Sequence, residues 1–295
     1  MTKPPLISVV VNFFNMRREA KRTLFTLTPA YQRDADPSTY EVVAIDNGSS
    51  EPLDPSWVSS LGANFRHIYY STDSPSPCAA INSAVRSVDS QMVTCMVDGA
   101  RMLSPRILKY TLLAATLLEH PFIYTLAMHI GKERQNRLVT KGYNQTSEDA
   151  LLESVPWRAN GYSLFDISSL GGSSWPGFFC RLAESSCFTM RTDDFLAMGG
   201  LDEKFVGPGG GLANMDFFNR ANEDPRLSPV MLLGEATFHQ FHGGVATNVP
   251  AEMHPWKAME EEYRLVRGRA YARAYRDPLY LGGAPKESLR FMLGE

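Results

Sequence analysis

An acidic residue ends an apolar segment near the middle of this chain. Residues 92–97 are apolar except for one Thr, Asp98 follows at once, and Pro105 then opens a further apolar stretch. Burying a carboxylate beside an apolar strand costs free energy unless the group is paired or faces a site. Mg²⁺ and Mn²⁺ take one or two protein carboxylates and complete their shells with phosphate oxygens and water. Asp98 is therefore the first candidate to hold a metal or a polar ligand.

Other polar residues follow apolar segments in the same way. Asn12 and Asn15 follow the first apolar run of the chain, and Asp46 follows the second. Short β-branched runs of this kind are typical of strands that are buried on both faces. Ligands of parallel sheets bind at the carboxyl ends of the strands. We therefore expect Asn12, Asn15, Asp46 and Asp98 to converge on one cleft.

Strands and helices are expected to alternate in the first half of the chain. The patterns predict strands at residues 6–11, 40–45, 65–70 and 92–97, and helices at residues 16–27, 77–88 and 105–119. This alternation argues for a parallel sheet with right-handed crossovers. The second half is predicted to contain short strands at residues 188–191 and 231–239, helices from residue 192 and at 215–221, and a helical tail from near Pro255 to about Arg276.

Four segments, in this order, resemble family 2 glycosyltransferases of the GT-A fold. They are residues 7–15, 42–50, 82–105 and 195–220, and together with His239 they cover roughly residues 5–245. The Asp-Asn-Gly-Ser turn that begins at Asp46 and the Met-Gly-Gly-Leu-Asp-Glu segment at residues 198–203 are the most specific. Either motif alone is weak, and the ordered set is strong.

The resemblance implies an α/β fold of GT-A type, a mostly parallel sheet flanked by helices with a helical C-terminal extension. The expected GT-A domain covers residues 1–250, with a nucleotide-binding half at about 1–105 and an acceptor half at about 106–250. Residues 251–295 would form the extension.

The resemblance also implies roles for polar residues in a nucleotide-sugar site. A carboxylate at the position of Asp46 accepts hydrogen bonds from the nucleobase, and the residue at Asn82 lies near the ribose or diphosphate. Asp98 would hold ribose hydroxyls or the metal, and Arg101 could neutralise the diphosphate directly. A turn-capping role for Asp46 and a surface position for Asn82 are the structural alternatives. The nucleotide-sugar-binding residues that we predict are Asn12, Asn15, Asp46, Asn82, Asp98 and Arg101.

A divalent metal, Mg²⁺ or Mn²⁺, is a further implication of the resemblance. The family carries an Asp-x-Asp segment, of which only Asp98 is present here, because Ala100 stands at the second position. One carboxylate is sufficient if another ligand arrives from elsewhere. Family members often carry a His at the end of the last strand, which fits His239, with His242 as the alternate. Both histidines could instead be polar loop residues.

The proton acceptor is where this chain departs from the family. In inverting members of the family, an Asp that precedes an apolar residue and an Arg is itself preceded, two residues earlier, by an acidic pair. When this chain is aligned on Asp216, Ala213 and Asn214 occupy the positions of that pair. Asn cannot remove a proton. Asp216 is our first candidate to replace the pair, although it could simply pair with Arg220 at i+4, and Glu184 is the second. A retaining mechanism would need no such base.

The resulting hypothesis is a glycosyltransferase that moves a sugar from a UDP- or GDP-sugar to a carbohydrate or other hydroxyl acceptor. The alternative is a non-catalytic protein of the same fold that binds a nucleotide-sugar or a partner, because both acidic motifs are eroded. A nucleotidyltransferase is expected to carry a Gly-rich loop with Lys or Arg after its first strand, and residues 12–15 contain neither.

Composition sets the remaining expectations. The 295 residues include 44% hydrophobic and 21% charged residues, and the net charge of −3 gives no reason to expect nucleic acid as a partner. Four cysteines without metal-binding spacing predict free thiols and a cytoplasmic location. The apolar stretches are too short for a transmembrane segment. Arginines between residues 264 and 276 leave peripheral contact with an anionic membrane as a minor alternative.

Overall fold

The computed structural model describes residues 4–292, which form a mixed α/β structure around one curved sheet. The strands are β1 Ile7–Phe13, β2 Tyr40–Asn47, β3 Phe65–Tyr70, β4 Met92–Met96, β5 Arg101–Leu103, β6 Pro121–Ile130, β7 Ser168–Leu170, β8 Cys187–Arg191, β9 Ser228–His239 and β10 Leu279–Gly282. The helices are α1 Arg17–Phe25, α2 Pro55–Ser60, α3 Cys78–Arg86, α4 Ile107–Leu117, α5 Gln135–Leu138, α6 Gln145–Glu153, α7 Thr192–Ala197, α8 Ala213–Glu223 and α9 Trp256–Arg267.

The strand order is β10-β9-β6-β8-β4-β1-β2-β3, with β5 paired to β9 and β7 paired to β6. β1 lies between β2 and β4, and both pairings are parallel. All seven residues of β1 are buried, as expected for a continuous apolar run inside a parallel sheet. The predicted parallel half-sheet is therefore confirmed, and the ends of β1, β2 and β4 point to the same edge.

β6 joins the two halves of the sheet and was not predicted from the sequence. It pairs parallel with β9 and antiparallel with β8, which in turn pairs antiparallel with β4. All ten β6 residues are buried. Its residues are mostly apolar and do not alternate with polar ones, so they lack the period of two that distinguishes a half-buried strand from a buried helix.

The C-terminal segment is helical only in part, so the predicted helical tail to Arg276 is wrong. α9 ends at Arg267, because Gly268 takes the left-handed backbone conformation (φ 67°) that commonly ends a helix. The chain then runs without helix to β10, which pairs parallel with β9 at the edge of the sheet.

Apolar side chains cover both faces of the sheet. One face carries an aromatic cluster in which Phe122, Phe188 and Phe217 pack within 6.5 Å of one another, with Phe188 and Phe217 stacked. The other face packs α1 and α4 against aliphatic residues of β1 and β2. The four cysteines are free, as predicted. Every helix within residues 4–292 is too short or too polar to cross a membrane.

The carboxyl group of Glu235, on β9, is buried against β5 and the segment before α4. Glu235 accepts hydrogen bonds from Ser104 Oγ at 2.5 Å, Tyr162 Oη at 2.6 Å and the Arg106 backbone N–H at 3.1 Å. Burial raises the pKa of Glu235 to about 7, because desolvation disfavours the charged form. The hydrogen bonds lower that pKa without overcoming burial.

We predict that the free energy of unfolding falls as the pH rises from about 4.5 to 7, partly through Glu235. Its folded-state pKa is raised, so its stabilising contribution is complete below the unfolded-state pKa and is lost as the pH passes the folded-state value. The rise of the Glu235 pKa from 4.5 to about 7 corresponds to a loss of free energy of unfolding on the order of 3 kcal/mol. Urea denaturation at pH 5 and pH 8 should show that Glu235→Gln flattens this dependence.

Glu119→Gln is the control, since that side chain is 90% exposed. Gln fits at position 235 because its Oε1 can accept from Ser104 and Arg106 while Tyr162 Oη turns to accept from Nε2. An equal pH dependence in wild type and Glu235→Gln would contradict this prediction.

Candidate active site

A cavity of about 860 Å³ opens at the carboxyl ends of β1 and β4. Its walls include the loops at residues 208–211 and 242–247 and part of the C-terminal segment around α9. Six of the ten predicted site residues line it: Asn12, Asn15, Asp98, Arg101, Glu184 and His242. Of the four residues that we expected to converge on one cleft, Asn12, Asn15 and Asp98 line this cavity and Asp46 does not.

Asp98 is directed at β9 by a tight turn. Its Oδ1 accepts the Ala100 N–H at 3.0 Å, and the chain then enters β5, which pairs antiparallel with β9 so that Arg101 lies opposite His239. Gly99 lies against β1, where a Cβ atom would come within 2.4 Å of Phe13 Cδ1. Any larger residue at position 99 would therefore force this turn or β1 to shift.

Asp98, His239 and His242 form a cluster of metal-ligating atoms that all lie within 4.8 Å of one another. His239 Nε2 lies 3.1 Å from Asp98 Oδ2 and 3.2 Å from His242 Nε2, and His242 Nε2 lies 3.8 Å from Asp98 Oδ1. Ligands bound at about 2.1 Å lie about 3.0 Å apart at right angles and about 3.4 Å apart in a tetrahedron. The donor set and its spacing therefore fit a divalent metal.

The charges in this cluster favour a cation. Burial by itself raises the pKa of Asp98, but the facing His242 and His239 and the guanidinium of Arg101 hold that pKa well below its ordinary value. Burial lowers the pKa of His239 to about 4, so the imidazole is neutral at pH 7. Metal ligation needs an ionised carboxylate and neutral imidazoles. At neutral pH Asp98 and His239 are already in the required forms.

Arg101 brings a positively charged guanidinium group to the cavity. Its Nε lies 3.4 Å from Asp98 Oδ2, yet Nε and Nη1 are buried without a hydrogen-bond partner within residues 4–292. Asn12 Oδ1 is also buried and has no hydrogen-bond partner in the described part of the chain, while Asn12 Nδ2 donates to the Val97 carbonyl at 3.4 Å. Buried polar groups are rarely left unpaired. A polar ligand in the cavity would satisfy these atoms, and the guanidinium suits an anion.

Asn15 joins the loop after β1 to the turn after β2. Its backbone is left-handed (φ 53°), its N–H donates to Ser49 Oγ at 2.8 Å, and its Oδ1 accepts the Ser50 N–H at 3.0 Å. Asn tolerates this conformation better than most residues. Asn15 therefore shapes the edge of the cavity and lines it.

Glu184 lines the opposite part of the cavity and is held by two donors. Asn214 Nδ2 and Ser186 Oγ both donate to Glu184 Oε2, the second at 3.2 Å, while Oε1 has no hydrogen-bond partner within the described chain. Asn214 occupies the position where the family resemblance predicts an acid. A carboxylate from a different segment of the chain therefore lies in contact with that position.

The structure does not bring Asp216 to this cavity. Asp216 is buried, and its carboxylate pairs with Arg220 at 2.9 Å and with Arg267 at 2.6 Å through each oxygen. The i+4 pair with Arg220 that we considered as the structural alternative is thus present. Because both oxygens are occupied by guanidinium groups, we no longer assign Asp216 as the proton acceptor.

Asp46 and Asn82 also lie outside the residues that line the cavity. Asp46 is buried and accepts the N–H groups of Ser49 and Leu53 at 3.0 and 2.9 Å, which is the turn-stabilising alternative. Asn82 bonds the backbone of Leu201 through both ends of its amide. Their predicted contacts with the nucleobase and ribose stay predictions.

Three residues around the cavity were missed from the sequence. Gln135 forms a hydrogen bond with His239, Asn248 accepts one from the backbone N–H of His242, and Asn214 donates one to Glu184. Gln135 follows β6, which was itself not predicted, and no residue pattern marks Asn248. Asn214 was noticed only as a lost acid.

Known structures of similar fold were found, whereas no protein-family model and no curated protein matches this sequence. S. aureus TarS is similar at 15% identity and a TM-score of 0.56, over 88% of this chain and 38% of that one. TarS 1–349 in complex with UDP-GlcNAc is similar at 13% identity and a TM-score of 0.54, over 88% of this chain and 65% of that one. TarS 1–349 in complex with UDP is similar at 13% identity and a TM-score of 0.52, over 79% and 60%.

This chain therefore spans less than two thirds of each of these structures. Their likeness shows a glycosyltransferase fold for this chain. Membership of family 2 stays a prediction.

We predict that Gly99→Ala disturbs the Asp98 turn. The added methyl would overlap Phe13 and the Asn12 carbonyl oxygen, at 2.4 and 2.5 Å, so the turn or β1 must shift. Overpacking of this kind typically costs about 1–3 kcal/mol. A lower melting temperature is the expected result. Gly172→Ala is the control, because its Cβ would approach nothing closer than 3.5 Å; equal melting temperatures for the two variants would contradict the prediction.

Proposed function

We propose that this protein transfers a sugar from a nucleoside-diphosphate sugar to an acceptor hydroxyl. The observation that carries the proposal is one cavity at the carboxyl ends of β1 and β4. Asp98, His242 and Arg101 line one part of it, with His239 buried beside them, and Glu184 lines another part. A diphosphate is an anion that a metal and a guanidinium can both bind. The fold is also that of glycosyltransferases.

The donor would bind with its diphosphate between the Asp98 cluster and Arg101. Asp98, His239 and His242 would hold a divalent metal, which when bound supplies positive charge that stabilises the departing nucleoside diphosphate. Arg101 would donate hydrogen bonds to a phosphate oxygen through Nε and Nη1, the atoms that lack a partner. Asn12 and Asn15 would contact the nucleotide beside them.

Glu184 would remove the proton from the acceptor hydroxyl. The acceptor oxygen then forms a bond to the anomeric carbon, the bond from that carbon to the diphosphate oxygen breaks, and the electron pair leaves with the diphosphate. Attack and departure on opposite faces of the sugar give inversion. Asn214 and Ser186 fix Oε2 of Glu184 and so leave Oε1 for the proton.

The nucleotide is proposed as UDP first, with GDP as the second choice. TarS 1–349 is similar in fold and was crystallised with UDP-GlcNAc. In our hypothesis Asp46 is one of the residues that would distinguish one nucleobase from another. Its carboxylate oxygens accept hydrogen bonds from backbone N–H groups of the turn that follows it. A panel of UDP- and GDP-sugars is therefore the right test of the donor.

We predict that Asp98→Ala weakens binding of UDP- or GDP-sugars by at least about 100-fold, because it removes the carboxylate of the metal cluster. Calorimetric titration with and without Mn²⁺ measures this effect. The exposed Asp166→Ala is the control. Unchanged donor binding by Asp98→Ala, in a folded variant, would refute the assignment of this cluster to the donor.

We predict that Glu184→Gln lowers kcat of sugar transfer by about 10²- to 10⁴-fold, the usual contribution of a general base. The Gln carbonyl can still accept from Asn214, so donor binding should stay within about 2-fold of wild type. Transfer to a panel of hydroxyl acceptors measures kcat, and titration measures donor binding. Wild type that binds a donor and transfers it to no acceptor would instead support the non-catalytic alternative.

A further inference from the structure

Two buried amides, Gln135 and Asn248, connect the histidines of the Asp98–His239–His242 cluster. Gln135 is the first residue of α5 and is fully buried, and Asn248 ends the loop that carries His242. Asn248 Nδ2 donates to Gln135 Oε1 at 2.9 Å. The two side chains therefore form one polar unit behind the metal-ligating atoms.

The backbone fixes the orientation of the Gln135 amide. Its Nε2 donates to the carbonyls of His239 at 3.0 Å and Ile130 at 3.3 Å, and carbonyl oxygens can only accept. Oε1 must then face His239 Nδ1, which lies 2.7 Å away. Nδ1 of His239 therefore donates to Gln135 Oε1, and Nε2 is the ring nitrogen that faces Asp98 and His242.

Asn248 holds the second histidine by its backbone. Its Oδ1 accepts the consecutive N–H groups of His242, Gly243 and Gly244 at 3.0, 3.0 and 2.9 Å. Three donors on one oxygen fix the start of the loop, which places the His242 ring against His239 with 5.1 Å between their centres. Gln135 thus sets the proton of one imidazole, and Asn248 sets the position of the other.

This arrangement brings acceptor atoms together. His239 Nε2 lies 3.1 Å from Asp98 Oδ2 and 3.2 Å from His242 Nε2. A metal ion bound among these atoms would take a ligand from each of the three side chains. Two nitrogens and one carboxylate suit first-row transition metals, whereas Mg²⁺ prefers an all-oxygen shell.

We propose that Asp98, His239 and His242 select a first-row transition metal over Mg²⁺, with Gln135 and Asn248 as positioning residues. This rests on the proposed function only in taking the cluster as the metal site. Partners that orient a ligating histidine in this way typically contribute about 10- to 100-fold to metal affinity. The affinity order follows the Irving–Williams series, so Co²⁺ and Zn²⁺ bind more tightly than Mn²⁺.

Metal selectivity is measured on the full chain after chelation and without any sugar. Co²⁺ is titrated by its visible absorption and Mn²⁺ by electron paramagnetic resonance, each followed by Mg²⁺. The expected result is a Co²⁺ spectrum with nitrogen ligation that about a 100-fold excess of Mg²⁺ does not displace. Displacement of Co²⁺ by an equal concentration of Mg²⁺ would overturn the proposed selectivity.

The positioning roles are tested with Gln135→Met and Asn248→Asp. Met removes every hydrogen bond of the amide, and Asp keeps an acceptor for the three N–H groups but loses the donor to Gln135. Both variants should bind Co²⁺ and Mn²⁺ about 10- to 100-fold more weakly. The control is Gln32→Met, because Gln32 is also a buried amide that bonds two backbone carbonyls, those of Thr26 and Ser104.

Equal metal affinity in Gln135→Met, Asn248→Asp and Gln32→Met would overturn the positioning roles. If Gln135→Met fails to fold, Asn248→Asp decides the matter through the Co²⁺ spectrum, which a merely structural residue would leave unchanged. Sugar transfer is measured separately. A protein that transfers sugar but binds Mg²⁺ as tightly as Co²⁺ refutes this inference alone, and one that selects Co²⁺ without transferring sugar refutes the transferase alone.

Discussion

The antiparallel pairing of β5 with β9 is the contact on which the cavity depends. It sets Arg101 opposite His239 and thereby directs Asp98, at the start of the turn before β5, toward the end of β9. Asp98 and His239 are 141 positions apart in the chain, and neither strand alone could bring their side chains to 3.1 Å. The β6–β9 pairing supports this arrangement from the other side, since His129 lies beside His239.

The polar groups around the end of β9 are compensated by hydrogen bonds as well as by ion pairs. Gln240 donates to the Glu19 carbonyl and to Thr23, and Gln135 donates to the His239 carbonyl. The Phe241 N–H donates to the buried carboxyl of Glu148. A buried polar group without a partner costs roughly 1–3 kcal/mol, so each of these bonds restrains the end of the strand. Within residues 4–292, Asn12 Oδ1 and Arg101 Nε and Nη1 are buried without a hydrogen-bond partner, and both residues line the cavity.

The predictions from sequence succeeded where local pattern decides structure. β1 to β4 were predicted within two residues at each end, because each is a β-branched or apolar run bounded by turn residues. β5, β6, β7 and β10 were missed, and the tail after Gly268 was wrongly predicted as helix. β10 is short and half exposed, so only its pairing with β9 makes it a strand.

The sequence by itself determined which polar residues stand at strand ends, and hence that Asn12, Asn15 and Asp98 meet at one edge of the sheet. Only the tertiary structure decided which carboxylate is placed to accept a proton at the cavity. From the sequence, Asp216 and Glu184 are both carboxylates that could accept a proton. In the structure α8 directs Asp216 toward Arg220 and Arg267, whereas Glu184, just before β8, lines the cavity. The reason is that the repeat of a helix or strand fixes which of its faces a residue occupies. Only packing between elements that are distant in the sequence fixes which residues that face contacts.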